Sequence, residues 1–252
     1  MSGWDAALYL RFQQERTQPA RDLAARVQSL KPARAADIGC GPGNSTAVLA
    51  KVFPNAHILG IDSSENMIAK AQKEHPELTF RCCDARELEN GYDLLFSNAC
   101  LQWLPDHERL IPQLMGKLSP GGCLAVQIPM NTEEPFFRLM VEVLSEPRWN
   151  SLQPSNEANA TLEPAQYHAI LSDCASDFSI WEVKYYHLLP DHKALVDWVR
   201  GTRLRPYLSQ LDEQEQKELT AELEARAKPL YPIQKNGGVL LGFRRFFFTA
   251  MK

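Results

Sequence analysis

The stretch Ala35-Ala36-Asp37-Ile38-Gly39-Cys40-Gly41-Pro42-Gly43-Asn44 governs the reading of this chain. A short apolar run ends in an acid, and three glycines follow at every second position. Glycine alone lacks a Cβ, so such a loop lets the backbone pass close against something else. A helix-compatible segment, Asn44-Ser45-Thr46-Ala47-Val48-Leu49-Ala50, begins at once. Strand, glycine loop and helix start together predict a nucleotide-binding corner.

Outward from that corner the chain alternates regularly. Strand-like apolar runs are read at 35–38, 57–61, 78–82, 92–97 and 123–128, with helical segments at 44–52, 64–74 and 106–118 between them. This order predicts a parallel sheet with helices on both faces. Ser119-Pro120-Gly121-Gly122 reads as the turn feeding the fifth strand. The segment 5–30 reads as an N-terminal helix with Leu8, Phe12, Leu23 and Val27 on one stripe; Tyr9 and Arg16, seven apart, fall on nearly one face.

After residue 130 the rhythm changes. Helices are predicted near 133–146 and 164–173, a strand at 178–186, a helical block over about 191–230 and a last strand from Val239 to Phe248. Late helices of this kind usually build a lid over the carboxyl edge of an α/β sheet, where ligands bind. The expected organisation is a single domain over 1–252. Its core spans about 31–130 with strands about 178–187 and 239–250, and a helical cap covers about 131–175 and 190–232.

Composition narrows the classes. The 252 residues carry a net charge of −4, against the basic excess of a nucleic-acid protein. No apolar run approaches a membrane span, and the start Met1-Ser2-Gly3-Trp4-Asp5 lacks the marks of a signal peptide. Six cysteines (Cys40, Cys82, Cys83, Cys100, Cys123, Cys174) form no CxxC pair and no zinc spacing. The expectation is a reduced, cytoplasmic chain with no structural metal and neither nucleic-acid nor membrane partners.

The dehydrogenase fingerprint places its ribose-binding acid after the glycines. Here Asp37 precedes them, and acids or amides stand at later strand ends: Gly60-Ile61-Asp62, Cys83-Asp84-Ala85 and Ser97-Asn98-Ala99. In this arrangement the chain resembles the class I S-adenosylmethionine-dependent methyltransferases. The resemblance implies a Rossmann-like sheet of seven mostly parallel strands with the last one antiparallel. It also implies S-adenosylmethionine as cofactor and S-adenosylhomocysteine as product, with Asp62 on the ribose, Asp84 at the adenine amine and Asn98 near the sulfonium. The implied cofactor set is Asp37, Gly39, Cys40, Gly41, Asn44, Asp62, Ser63, Met67, Asp84, Ala85, Asn98 and Gln102.

Further matches run across nearly the whole chain. They include Leu101-Gln102-Trp103-Leu104-Pro105-Asp106-His107, Tyr185-Tyr186-His187, Asp197-Trp198-Val199 and Leu204-Arg205-Pro206. By these the chain is similar to the trans-aconitate 2-methyltransferase family, which implies methyl transfer to a carboxylate of trans-aconitate. A carboxylate is ionised at neutral pH and needs no general base, so no residue is assigned a catalytic proton transfer. The other carboxylates of the acceptor call for forked cations. The substrate set read on this basis is Tyr9, Arg16, Trp103, Tyr185, Trp198, Arg203, Arg205 and Tyr207, with Arg205 favoured by its context. Arg244 and Arg245 read as ordinary strand charges, because a strand can turn only one of two neighbours inward. His107 and His187 read as structural hydrogen-bonders or pocket donors rather than bases. Other small or carrier-bound carboxylic acids, a silent cofactor-binding module and a nicotinamide oxidoreductase are the competing readings.

Overall fold

A computed structural model gives the fold over residues 13–152, 160–201 and 203–252, with side chains from residue 17 onward. Tyr9 and the side chain of Arg16 therefore lie outside the described residues. The strands are β1 (Arg34–Ile38), β2 (His57–Asp62), β3 (Thr79–Cys82), β4 (Tyr92–Asn98), β5 (Leu118–Pro129), β6 (Asp177–Leu189) and β7 (Val239–Met251). The helices are α1 (Gln13–Arg26), α2 (Asn44–Val52), α3 (Glu65–Glu74), α4 (His107–Lys117) and α5 (Pro135–Leu144). They continue with α6 (Pro164–Cys174), α7 (His192–Arg200), α8 (Arg205–Leu208) and α9 (Glu213–Ala227).

The strands form one seven-stranded sheet in the order β3-β2-β1-β4-β5-β7-β6. β1 through β5 pair in parallel, and β7 runs antiparallel to β5 from Cys123↔Met251 to Pro129↔Arg245. The order turns back on itself between β1 and β4, which makes their carboxyl ends the switch point where ligands bind in open α/β sheets. Central strands are apolar without alternation because both faces are covered: Ala35, Ala36, Ile38, Leu94, Leu95 and Phe96 are all buried. On one face Tyr167 of α6 stacks on Phe246, 5.0 Å between ring centroids. On the other, Trp181 of β6 stacks on Phe247 at 5.3 Å, with the Arg26 guanidinium of α1 5.1 Å from the indole.

Two expectations about local structure change. Ser119–Gly122 is not a free turn before β5: Leu118 already pairs with Tyr92, and the ladder resumes at Leu94↔Cys123 after an irregularity. The helical block at 191–230 is three helices. α7 stops at Gly201, and Pro206 fits only in the first turn of a new helix, where its missing N–H costs nothing. α9 starts on a reciprocal cap, Asp212 accepting from Glu215 N and Glu215 accepting from Asp212 N.

The chain separates into two compact units. One contains Arg16–Pro129, residues 160–183 and Arg245–Lys252, hence most of the sheet with its glycine loop. The other contains Lys184–Arg244 and the segment from Met130. Its core gathers Phe136, Val143 and Leu144 of α5, Leu195 and Trp198 of α7, Leu219 and Leu223 of α9, and Phe243 of β7. No helix among the described residues is long and apolar enough to cross a membrane.

Candidate active site

The glycine loop folds as its composition requires. Gly39, Gly41 and Gly43 have φ of 71°, 53° and 92°, the left-handed region that favours glycine. The N–H groups of Gly39 and Cys40 both donate to Ile61 O, at 2.8 and 2.9 Å, which ties the loop to the end of β2. A Cβ on Gly39 would stand 2.1 Å from Cys100 Sγ, so the loop is packed hard against the turn after β4. A Cβ on Gly41 would meet nothing within 4 Å. That glycine borders open space.

Asp37 is fully buried beneath the loop. Its Oδ2 accepts from Ser45 Oγ and Thr46 Oγ1, both at 2.6 Å, so the first turn of α2 is fastened to the end of β1. Burial pushes its carboxyl up to about 6; the two hydroxyls pull the other way and the charge of Asp62 adds to the rise. Ser45 and Thr46 hold this carboxylate in place, and the sequence reading missed them. The signal was there: an acid at the end of a buried strand needs donors, and hydroxyls opening the next helix are the nearest.

Asp62 ends β2 with each oxygen engaged by one backbone donor. Oδ2 accepts from Gly41 N at 3.0 Å and Oδ1 from Ser64 N at 2.9 Å. An ionised carboxylate has about four lone-pair sites, so both oxygens can still accept from a diol. Ser64 caps α3 by accepting from Met67 N at 3.4 Å; Ser63 is exposed and Met67 half-buried beside it. Asp84, beyond β3, accepts from Arg86 Nε at 2.8 Å and Arg86 Nη2 at 2.7 Å, and this guanidinium holds its carboxyl below the usual range. The adjoining Ala85 is buried. Asn44 opens α2 at the mouth of the loop.

β4 delivers the last group. Asn98 ends the strand, Ala99 takes a positive φ of 53°, and Gln102 turns back so that Nε2 donates to Ala99 O at 2.7 Å. Asn98 Oδ1, Gln102 Oε1 and Asp37 Oδ1 are buried with no hydrogen-bond partner among the described residues. Burial pushes the Cys100 thiol up to about 12, with the charges of Asp62, Asp37 and Asp84 adding to it. The Cys40 thiol is raised for the same reasons, burial first. Both sulfurs stay neutral, and the carboxyl edge is a field of negative charge and unused acceptors. Such a field attracts a cation and repels a pyrophosphate.

The expected substrate residues divide between the units. Trp103 lies in the turn after Gln102, 39% exposed. In the other unit Tyr185, His187 and Trp198 form a stacked series, with Tyr185 and His187 centroids 6.3 Å apart and His187 and Trp198 4.9 Å apart. Arg203 is half-buried, its Cζ 5.4 Å from the centre of the Phe137 ring. Burial lowers its guanidinium below the ordinary range, with Tyr207 acting in the opposite sense. Arg205 is exposed at the start of α8. Of the two, Arg203 is the one withdrawn from water. His107 is structural: Nε2 meets Leu101 O at 2.8 Å and Nδ1 meets the Tyr167 hydroxyl at 2.5 Å, joining the Leu101–Trp103 turn to α6.

A family model described as a methyltransferase domain matches residues 35–122. The trans-aconitate 2-methyltransferase of Methylobacterium nodulans is 47% identical to this chain, covering 100% of it and 99% of the relative. The chain belongs to the trans-aconitate 2-methyltransferase family. Among solved structures, the YcgJ protein of Bacillus subtilis superposes with a TM-score of 0.63 at 14% identity, over 93% of this chain and 98% of that one. Phosphoethanolamine N-methyltransferase 2 of Haemonchus contortus, in complex with S-adenosyl-L-methionine, gives 0.57 at 19% identity, over 92% of this chain and 52% of its own. Both likenesses establish the sheet and its order.

For this member of the trans-aconitate 2-methyltransferase family, the residues present suit S-adenosylmethionine. Its ammonium and sulfonium are cations, and three buried acceptors, on β1, at the end of β4 and in the turn after it, lack partners among the described residues. Its ribose is a diol, and the Asp62 carboxylate keeps one free acceptor position on each oxygen. Nothing beside Gly41 obstructs close approach.

Proposed function

We propose that this enzyme transfers the methyl group of S-adenosylmethionine to a carboxylate of trans-aconitate, releasing a monomethyl ester and S-adenosylhomocysteine in the cytoplasm. The observation that carries the reading is the set of orphaned buried acceptors, Asp37 Oδ1, Asn98 Oδ1 and Gln102 Oε1, at the switch point of the sheet. The cofactor supplies an electrophilic methyl group on a sulfonium.

The protein's part is positioning. Asp62 receives the ribose, and the loop at Gly39–Gly43 provides a wall without side chains. Asn98 and Gln102 face the cationic end. The acceptor carboxylate is ionised and attacks without a base, so the rate gain comes from alignment of two reactants and from their joint removal from water. Arg203, half-buried with its guanidinium over the Phe137 ring, supplies charge for a carboxylate that is not methylated; Tyr185, Trp198 and Tyr207 of the same unit, and Trp103 of the sheet unit, are the further substrate residues in this reading. Of the expected helical cap, α5 and α7–α9 belong to the other unit, whereas residues 160–175 belong to the sheet unit, with Tyr167 of α6 stacked on Phe246.

The test is product analysis. The enzyme is incubated with S-adenosylmethionine labelled in the methyl group and with a panel of mono-, di- and tricarboxylates. A monomethyl ester formed fastest from trans-aconitate is expected. Preference for a different acid moves the acceptor assignment, and label transferred to no carboxylate overturns the reading.

A further inference from the structure

The carboxyl edge of the sheet changes chemical character along a single face. Residues paired across strands project to the same side. Ile38 is level with Ile61 of β2 and with Ser97 of β4, so Asp62 and Asn98, one residue further on, share the opposite face. Asn98 pairs with Gln127 of β5, and Gln127 with Phe247 of β7. Arg245 lies two residues from Phe247 and returns to that face, diagonal to Gln127. The row therefore begins with a carboxylate on β2, passes through an amide on β4 and ends with an amide and a guanidinium on β5 and β7.

Gln127 is fully buried, and Arg245 is only 5% exposed. Arg245 Nη1 lies 3.4 Å from Gln127 Oε1, so the arginine directs the amide oxygen toward itself and leaves Nε2 as a donor. That Nε2 has no hydrogen-bond partner among the described residues. Burying an unsatisfied donor beside a permanent cation is unfavourable unless a ligand supplies an acceptor. An anion held by amide and guanidinium together is what such a pair suits, and a carboxylate fits the fork. Reading Arg245 as an ordinary strand charge is thereby corrected: its side chain is the inward member of the Arg244–Arg245 pair.

We infer that Arg245 and Gln127 bind a carboxylate of the methyl acceptor, on the β5–β7 side of Asn98 and opposite the acidic half of the row. The acceptors on β1, β2 and β4 take the cationic reactant, and the donors on β5 and β7 take the anionic one. The inference rests on the reading of this enzyme as a carboxyl methyltransferase.

The experiment uses the full chain with the substitutions Arg245→Gln and Gln127→Glu. Each should raise KM for trans-aconitate by about tenfold or more, while calorimetric affinity for S-adenosylhomocysteine stays within about threefold. Gln127→Glu keeps the shape of the side chain and sets a carboxylate beside Arg245, so it folds even where Arg245→Gln does not, yet it repels the acceptor. Unchanged KM in Gln127→Glu overturns the inference while the methyltransferase reading stands. An equal loss of S-adenosylhomocysteine affinity overturns it as well, by making the pair structural. If the unsubstituted enzyme methylates no carboxylate in the panel, the wider reading fails and this inference falls with it.

Discussion

The backbone N–H of Gly41 donates to Asp62 Oδ2 at 3.0 Å, joining the glycine loop to the end of the neighbouring strand across 21 residues of sequence. One carboxylate thus fixes the loop and still offers acceptor positions outward. Asp62→Ala removes both functions. Affinity for S-adenosylhomocysteine, measured by calorimetry, should fall by about tenfold or more, the loss of a charged acceptor to two hydroxyls. Asp62→Asn can keep one oxygen on Gly41 while giving up the charge, and should fall between the two. Unchanged affinity in Asp62→Ala would refute the assignment.

Gly39 and Gly41 share a positive φ but differ in what surrounds them. Alanine at either position carries about 1–2 kcal/mol of left-handed strain. At Gly39 the added Cβ also lands 2.1 Å from Cys100 Sγ and 2.3 Å from Cys100 Cβ. Gly39→Ala should therefore lower Tm well beyond Gly41→Ala. Gly41→Ala should fold and yet bind S-adenosylhomocysteine weakly, because its Cβ enters open space on the ligand side. Equal Tm losses with cofactor affinity retained in Gly41→Ala would show that the loop does not border the cofactor.

The architecture was legible because the core elements are short, apolar and evenly spaced. Asp37, Asp62, Asp84 and Asn98 could be placed at strand ends from the sequence, and register pairs such as Asp37↔Gly60 and Ile38↔Ser97 show why they converge. What stayed hidden depends on three-dimensional packing. Alternation along β7 says that one of Arg244 and Arg245 turns inward, but only pairing with β5 decides which. The contact of Cys100 with Gly39 joins residues 61 positions apart and leaves no local trace. Asp84 reads as a free acceptor in sequence, whereas Arg86, two residues on, already holds one edge of it. Arg205 stood out by context, yet half-burial singles out Arg203.

Asp37 should couple cofactor binding to pH. Its carboxyl lies at about 6 in the folded protein against 3.8 ordinarily, because it is buried. A raised folded value means that ionised Asp37 costs stability above about pH 6, and the cost is relieved as pH falls from there toward 3.8. A cationic ligand has the opposite preference and favours the ionised form. Affinity for S-adenosylmethionine should accordingly drop about tenfold between pH 7 and pH 5, as roughly nine in ten Asp37 side chains become protonated. Asp37→Asn can still accept from Ser45 and Thr46 without a buried charge. It should flatten that profile and hold or raise Tm at pH 7. A wild-type affinity constant across this range would sink the coupling.

The contrast between Arg203 and Arg205 tests which of the two cations recognises the acceptor. Arg203 is half-buried over Phe137, its guanidinium is lowered by burial, and no carboxylate pairs with it among the described residues. A cation in that state gains more from an anionic ligand than one already in water, because the ligand restores what desolvation removed. Arg205 is exposed, and an ion pair at an exposed site is worth about 0–1 kcal/mol. Arg203→Ala should therefore raise KM for trans-aconitate by about tenfold or more, whereas Arg205→Ala should change it by less than about fivefold. Neither should alter KM for S-adenosylmethionine by more than about twofold. Steady-state kinetics with each substrate varied in turn decides the matter, and a larger effect from Arg205 would restore the assignment favoured by sequence context alone.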